Sequence, residues 1–299
     1  MDTDKLKDKF CGCLLGVAVG DALGVPVQGR SRDLIKDSYG RIKDYVITEK
    51  GKAQWSDDTQ TSLDVAESYV DYAGCNIDDI AKRFVDWFEA GGRGIGFTTS
   101  RVLWFISQGM SPFESSKLVW EESKCQLAGN GGLMRSAPIA LARLNDKKTL
   151  IKESREVSMI THYDPRSTES CVLYNLLLRD LVLDKPQDLT TYLNQISQTD
   201  VIKTAEEASS ANENEMPVGG YVLDTLRVAL WAHSEFDNFE DALISVVNLG
   251  GDTDTNAAVT GALFGARFGK SGIPDRWLEN LDQRERVENA AVNLLETFH

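Results

Sequence analysis

Four glycines spaced four apart, Gly12, Gly16, Gly20 and Gly24, punctuate an apolar stretch near the N-terminus. Residues four apart share a helix face, so on a helix they form one smooth strip. Along such a strip a second helix or a ligand can approach the backbone itself. A glycine inside a helix costs about 1 kcal/mol against alanine, so four of them imply a packing need. Close helix packing is the ordinary reading. Asp21 in the same stretch argues against a membrane dimer. The stretch follows Lys5, Lys7 and Lys9, as a signal peptide would, but Asp2, Asp4 and Asp8 offset that charge and the glycines interrupt the apolar run. No run of the chain approaches the length of a transmembrane helix.

Most of the remaining sequence has helical periodicity. Ile80, Ala81, Phe84, Val85 and Phe88 share one face behind Asp78–Asp79. Ser111-Pro112 predicts an N-cap and first turn for a helix through Trp120. Thr168–Leu183 is apolar on a broad face and is ended by Pro186. Tyr221–His233, Asp237–Asn248, Thr255–Phe268 and Asp275–Thr297 continue the pattern, and Arg41–Thr48 is the one weak strand candidate. No linker, low-complexity tract or fixed repeat divides the chain. The expectation is a single all-α domain, residues 1–299, built as a multi-helix bundle.

Charge and side-chain supply narrow the function. The 299 residues carry 46 acidic and 32 basic side chains, a net charge of −14, with no basic block to track a phosphate backbone. Nucleic acid and membrane are therefore not expected partners. Five scattered cysteines form no C-x-x-C pair, and only His162, His233 and His299 are available as imidazoles. A zinc site is short of ligands, and the cysteine usage suits a reducing, cytoplasmic compartment.

Oxygen ligands, by contrast, are concentrated. Trp55–Thr59 reads W-S-D-D-T and Gly250–Asn256 reads G-G-D-T-D-T-N. Carboxylates and hydroxyls suit Mg²⁺, Mn²⁺ or Ca²⁺. Adjacent acids repel each other, and a cation relieves that repulsion. Helix capping favours the same residue types, so Ser56-Asp57-Asp58 fits a helix N-terminus as well as a metal site. The second cluster exceeds what a cap needs: two acids, a hydroxyl and a pair of glycines free to make a tight turn. Three further stretches qualify as site elements. Gly129–Arg135 is a glycine-rich loop able to offer amides to phosphate, although a plain turn has the same composition. His162 stands at a helix boundary, where a structural role is the commoner one. Tyr221 follows Gly219-Gly220 and offers an aromatic face, with core packing as its alternative.

In their order along the chain these stretches resemble the ADP-ribosylglycohydrolase family, particularly its dinitrogenase-reductase-activating branch. The resembling segments are 11–26, 55–59, 129–135, 161–171, 219–226 and 250–266. The resemblance implies an all-α orthogonal bundle with two Mg²⁺ or Mn²⁺ ions in a cleft. It implies Ser56 (commonly threonine in the family), Asp57, Asp58, Asp252, Asp254 and Thr255 as metal ligands, with Asp57, Asp58 and Asp252 serving catalysis. Asn130, Gly131, Gly132 and Met134 would hold the diphosphate and distal ribose, with His162, Asp164 and Tyr221 as further substrate contacts. The implied reaction is hydrolysis of the N-glycosidic bond of an ADP-ribosylated protein, most often at arginine, or of a small ADP-ribose conjugate. The implied protein is a monomer or small homo-oligomer.

Two positions depart from the family pattern. Where many relatives carry glutamate after the proline of the first motif, this chain reads Val25-Pro26-Val27-Gln28. Gly94 stands where the arginine-directed branch often has aspartate. Glutamine and glycine cannot act as carboxylate bases, which keeps open an alternative: a member of the family that binds ADP-ribose or a nucleotide and cleaves it weakly or not at all. Two other metal-dependent classes fit less well. Asp57–Thr61 lacks the closing acid of a prenyl-diphosphate D-D-x-x-D motif. Asp252–Asn256 lies between helices, not after the hydrophobic strand of a dehalogenase-type phosphatase.

Overall fold

The computed structural model describes residues 2–46 and 51–299. Among these residues the chain is helical, with short 3-10 turns and isolated backbone bridges but no sheet. Residues 41–46 of the strand candidate form no strand; Ile47 and Thr48 lie outside the described residues. Several helices start on side-chain caps of the expected kind. Asp2 opens Thr3–Gly24, Asn76 opens Ile77–Glu89, Asp146 opens Lys147–Met159 and Asn238 opens Phe239–Val247. Ser111 does precede Pro112–Glu122, although its hydroxyl goes to the Glu114 carboxylate, at 2.5 Å.

Three expectations need correction. The helix expected over Asp275–Thr297 is two, Asp275–Asn280 and Arg284–Phe298. Between them Ala53 pairs with the backbone at Leu281: its N–H donates to Asn280 (2.9 Å) and its carbonyl accepts from Asp282 (2.9 Å). That pairing, with Gln283 at φ 48°, breaks the helical hydrogen-bond ladder. The Gly129–Arg135 loop contains a helical turn, Gly131–Met134. The N-terminal helix, with the 3-10 turn that follows it, is long and apolar enough to cross a membrane, contrary to the length expectation. Its apolar window is 89% buried inside the protein, as a core helix would be.

The glycine strip accounts for that burial. Thr3–Gly24 runs antiparallel to Thr253–Phe268, with backbone against backbone. A Cβ on Gly16 would strike the Gly261 carbonyl, one on Gly20 the Ala257 carbonyl, and one on Gly24 the backbone of Asp254. Gly261 and Gly265 return the fit against Gly16 and Gly12. At the last glycine the Thr253 hydroxyl also donates to the Gly24 carbonyl, at 2.8 Å. The strip thus delivers the second aspartate cluster to the C-terminal end of the first helix. Asp21 stands one turn back on that helix, fully buried. Around the helix pair, Pro165–Val182, Val222–Glu235 and Arg284–Phe298 complete a core rich in leucine, valine and alanine.

Candidate active site

Asp21 joins the two clusters. Its carboxylate accepts from the Ser56 N–H (2.9 Å), the Ser56 hydroxyl (2.8 Å), the Thr59 N–H (3.0 Å) and the Thr59 hydroxyl (2.6 Å). It therefore caps the Asp57–Tyr72 helix from a neighbouring helix and satisfies its exposed N-terminal donors. Ser56 stands at the N-cap position, but its side chain makes no cap bond within its own helix. Asp252 likewise precedes Thr253–Phe268 without capping it. Its Oδ2 accepts from Asn130 Nδ2 at 2.7 Å, and Gln28 Nε2 lies 3.5 Å from its Oδ1. Neither Ser56 nor Asp252 thus uses its side chain as a cap, although Asp57, Asp58 and Asp254 stand in the first turns of their helices, where acids are favoured.

The turn before Asp252 depends on glycine. Gly250 and Gly251 have φ of 82° and 74°, in the left-handed region. A Cβ on Gly251 would strike the Val218 carbonyl, the group that accepts from the Asp252 N–H at 2.7 Å. The Gly29 N–H donates to the Gly251 carbonyl (2.7 Å), tying this turn to the loop that carries Gln28.

Asp57, Asn130, Gly131, Met134, His162, Asp252 and Thr255 line one cavity of about 710 Å³, which Gln28 and Gly94 also border. That volume lies within the range of small-molecule sites. Ser56, Asp58 and Asp254 lie behind the wall, each 5% exposed or less. Gly132 also faces away from the cavity, against Ser158.

The electrostatics of the acidic group are unfavourable as it stands. Burial, with the Asp21 and Asp252 carboxylates nearby, pushes Asp57 up to about 7. Burial and Asp252 push Asp254 up to about 9. Burial, Asp21 and Asp254 push Asp58 well above the ordinary range. Asp58 Oδ1 and Asp254 Oδ2 are buried with no hydrogen-bond partner. Orphaned, mutually repelling oxygens are what a hard divalent cation satisfies, and the hydroxyls of Ser56 and Thr255 complete an all-oxygen donor set. Among the described residues no group of three or more His, Cys, Asp or Glu side chains is placed to hold a metal ion as the side chains stand.

Asp164 and Tyr221 stand elsewhere. Neither lines the cavity. The Asp164 oxygens are taken by Trp120 Nε1 (2.9 Å), Arg166 Nε (2.8 Å), Arg166 Nη2 (2.7 Å) and the Arg166 N–H (2.9 Å). These bonds hold its carboxyl below the usual range despite burial, and it caps Pro165–Val182. Arg166 in turn lies over the Tyr221 ring, 5.7 Å from its centre. The pair buttresses the Gly129 loop, since Gly129 and Tyr221 form an isolated bridge.

Gly94 explains one of the two departures. It sits at φ 89°, and a Cβ there would collide with Asp57 Oδ1. In this backbone the position belongs to glycine, and an aspartate there would need a different loop geometry. Nothing in the motifs marks Asp21 as a site residue, although an aspartate inside an apolar glycine strip is a usable signal. Thr98, Thr99 and Leu127 also line the cavity, and nothing in their local sequence marks them.

Comparison with known proteins covers nearly the whole chain. The ADP-ribosylglycohydrolase family model matches residues 2–299. The ADP-ribosylarginine hydrolase Tri1 of Serratia proteamaculans is 32% identical over 300 residues, covering 96% of this chain and 79% of its own length. The ADP-ribosyl-[dinitrogen reductase] glycohydrolase of Rhodospirillum rubrum is 28% identical, over 96% of this chain and 95% of its own. A solved structure described as an ADP-ribosylglycohydrolase-related protein complex superposes with a TM-score of 0.81 at 30% identity, covering 99% of this chain and 100% of that one. With an all-α fold, the ordered motifs and a full-length match in agreement, the chain belongs to the ADP-ribosylglycohydrolase family.

Proposed function

We propose that this protein is a metal-dependent hydrolase that releases ADP-ribose from an ADP-ribosylated side chain, with arginine the first acceptor to test. The observation that carries the reading is the group of orphaned, charge-crowded carboxylates behind the wall of a cavity lined by Asn130, Gly131 and His162. The arginine preference rests on the relative named an ADP-ribosylarginine hydrolase. Two Mg²⁺ or Mn²⁺ ions held by Ser56, Asp57, Asp58, Asp252, Asp254 and Thr255 would bind ribose hydroxyls and lower the pKa of a water.

The remaining chemistry falls to the chain itself. Cleaving the glycosidic bond develops positive charge at the anomeric carbon, and the Asp57 and Asp252 carboxylates on the cavity wall stabilise it. The departing guanidine needs a proton, and the attacking water, which must lose one as its oxygen bonds to the anomeric carbon, balances it. The helical turn Gly131–Met134 and the Asn130 side chain orient the ligand; Asn130 is itself held by Thr225 (2.9 Å) and Asp252 (2.7 Å). None of the five cysteines is in a disulfide, which suits a reducing, cytoplasmic setting.

A second reading, binding without turnover, is favoured by one observation: neither Gln28 nor Gly94 brings an additional carboxylate to the cavity edge. One panel separates the two. Arginine-, serine- and small-molecule-linked ADP-ribose are incubated with the protein in Mg²⁺, Mn²⁺ or EDTA. Metal-dependent release of free ADP-ribose is expected from the arginine conjugate, and Asp252→Asn should cut it on the order of 10³-fold. Calorimetric binding of ADP-ribose with no release from any conjugate would sink the hydrolase reading and leave the binding one.

A further inference from the structure

Arg135 is the most anomalous side chain in the protein. It is 0% exposed, and its Nε and Nη1 have no hydrogen-bond partner. Its guanidinium stacks 4.7 Å from the Phe84 ring centre. Burial lowers its pKa only to about 10, so it stays a cation at neutral pH. A buried, under-bonded cation is expensive to keep, and no acidic partner forms an ion pair with it among the described residues. What it does have is one short bond: Nη2 donates to Thr161 Oγ1 at 2.5 Å. Thr161 Oγ1 in turn lies 2.8 Å from His162 Nδ1.

The donor inventory fixes the proton positions along this line. A guanidinium nitrogen only donates, so Thr161 Oγ1 accepts from Arg135. The threonine hydroxyl then has one proton to give, and His162 Nδ1 is its sole acceptor. If Nδ1 instead carried the ring proton, the buried hydroxyl proton would have no partner, at a cost of about 1–3 kcal/mol. The arrangement that pairs both the threonine hydroxyl and Nδ1 leaves Nδ1 bare and puts the proton on Nε2. The far edge of the ring lies against the loop glycines: a Cβ on Gly131 would come within 2.6 Å of Cε1 and one on Gly129 within 2.9 Å of Nε2. His162 also lines the cavity. Burial and the Arg135 charge push its pKa down to about 3, so the ring is neutral.

We propose that Arg135 and Thr161 are positioning residues that lock His162 in the Nε2–H tautomer, making it a fixed neutral donor to an acceptor oxygen of the ligand in the cavity. The buried cation is retained because it dictates, through one hydroxyl, which ring nitrogen carries the proton. A neutral donor of this kind recognises phosphate or hydroxyl oxygens without titrating in the physiological range. Only the ligand arm of the test rests on the proposed ADP-ribose site; the tautomer arm does not.

The test is imidazole nitrogen-15 correlation spectroscopy, simplified by there being only three histidines. Wild-type His162 should give the pattern of a pure Nε2–H tautomer, unchanged between pH 5 and pH 8. Thr161→Val, which keeps shape and removes the hydroxyl, should give a tautomer mixture and weaken ADP-ribose binding on the order of tenfold. Thr161→Ser should restore both. An Nδ1–H pattern in the wild type would overturn the proposal. So would a Thr161→Val protein with an unchanged tautomer and unchanged affinity. If Thr161→Val does not fold, the wild-type spectrum still decides. If the wild type does not bind ADP-ribose, the functional reading fails while the tautomer result stands.

Discussion

Asp254 and Asp164 are both 0% exposed aspartates at helix N-termini, yet they have opposite surroundings. Around Asp164, an arginine, a tryptophan and a backbone N–H satisfy both oxygens and pull its pKa down. Around Asp254, one oxygen accepts a backbone bond from Thr255 (2.9 Å), the other has no partner, and burial with the neighbouring carboxylates pushes the pKa up to about 9. The difference separates two uses of a buried acid. A satisfied carboxylate organises structure. An unsatisfied one among its own kind costs stability unless something positive arrives, which is what supports the proposed metal centre there.

The comparison can be broken in several places. The largest expected effect is on turnover. Asp252→Asn removes a cavity-lining carboxylate and should cut ADP-ribose release on the order of 10³-fold, with EDTA doing the same to the wild type. A residual rate within tenfold of wild type would remove the cluster from catalysis.

Next comes stability at the satisfied acid. Asp164→Asn leaves the Arg166 charge uncompensated and should destabilise the fold by about 2 kcal/mol, read as a lower denaturant midpoint. The pH dependence has a definite sign. Asp164 is depressed in the folded state, so its contribution is present above the ordinary aspartate range and is lost on acidification through its lower folded pKa.

At the unsatisfied acid the sign reverses. Asp254 binds its proton more tightly when folded. Metal-free protein should therefore lose stability as pH rises from 3.8 towards about 9, and hold level beyond. Asp254→Asn should flatten that slope and stabilise the metal-free protein at neutral pH by about 1 kcal/mol while impairing turnover. Added Mn²⁺ should flatten the slope in the wild type only. Thermal scans across pH, with and without metal, would check all three, and a metal-free Asp254→Asn protein less stable than wild type would refute the crowding argument.

The smallest effect is at Gln28. Gln28→Glu places a carboxylate beside Asp252, where the amide now lies 3.5 Å away. Metal affinity should rise by less than about tenfold, the scale of an outer ligand partner. Calorimetry with Mn²⁺ measures it, and a loss of affinity would show that a further acid adds only repulsion.

The sequence carried much of the fold. The glycine strip, the helical periodicities and the N-cap residues are local signals, each readable within about 20 residues, and the helices formed close to where they point. The failures have physical causes that lie at a distance. The Asp275–Thr297 pattern is continuous in sequence, and it is the bridge to Ala53 that breaks it. Asp164 and Asp254 look equally functional as residues in a motif, and only their neighbours distinguish them.

What the sequence by itself determined was supply: oxygen ligands without sulfur or imidazole, and a helix smooth enough for backbone contact. Tertiary structure decided the use of that supply. The strip pairs the first helix with Thr253–Phe268 and brings Asp254 to Gly24; Asp21, one turn back, draws in Ser56 and Thr59. The same packing set Gly94 against Asp57 at a φ that glycine tolerates, and ran the Arg135–Thr161–His162 line beneath the cavity. Composition and periodicity act over a few bonds, whereas desolvation, charge repulsion and hydrogen-bond satisfaction depend on which side chains the fold places together.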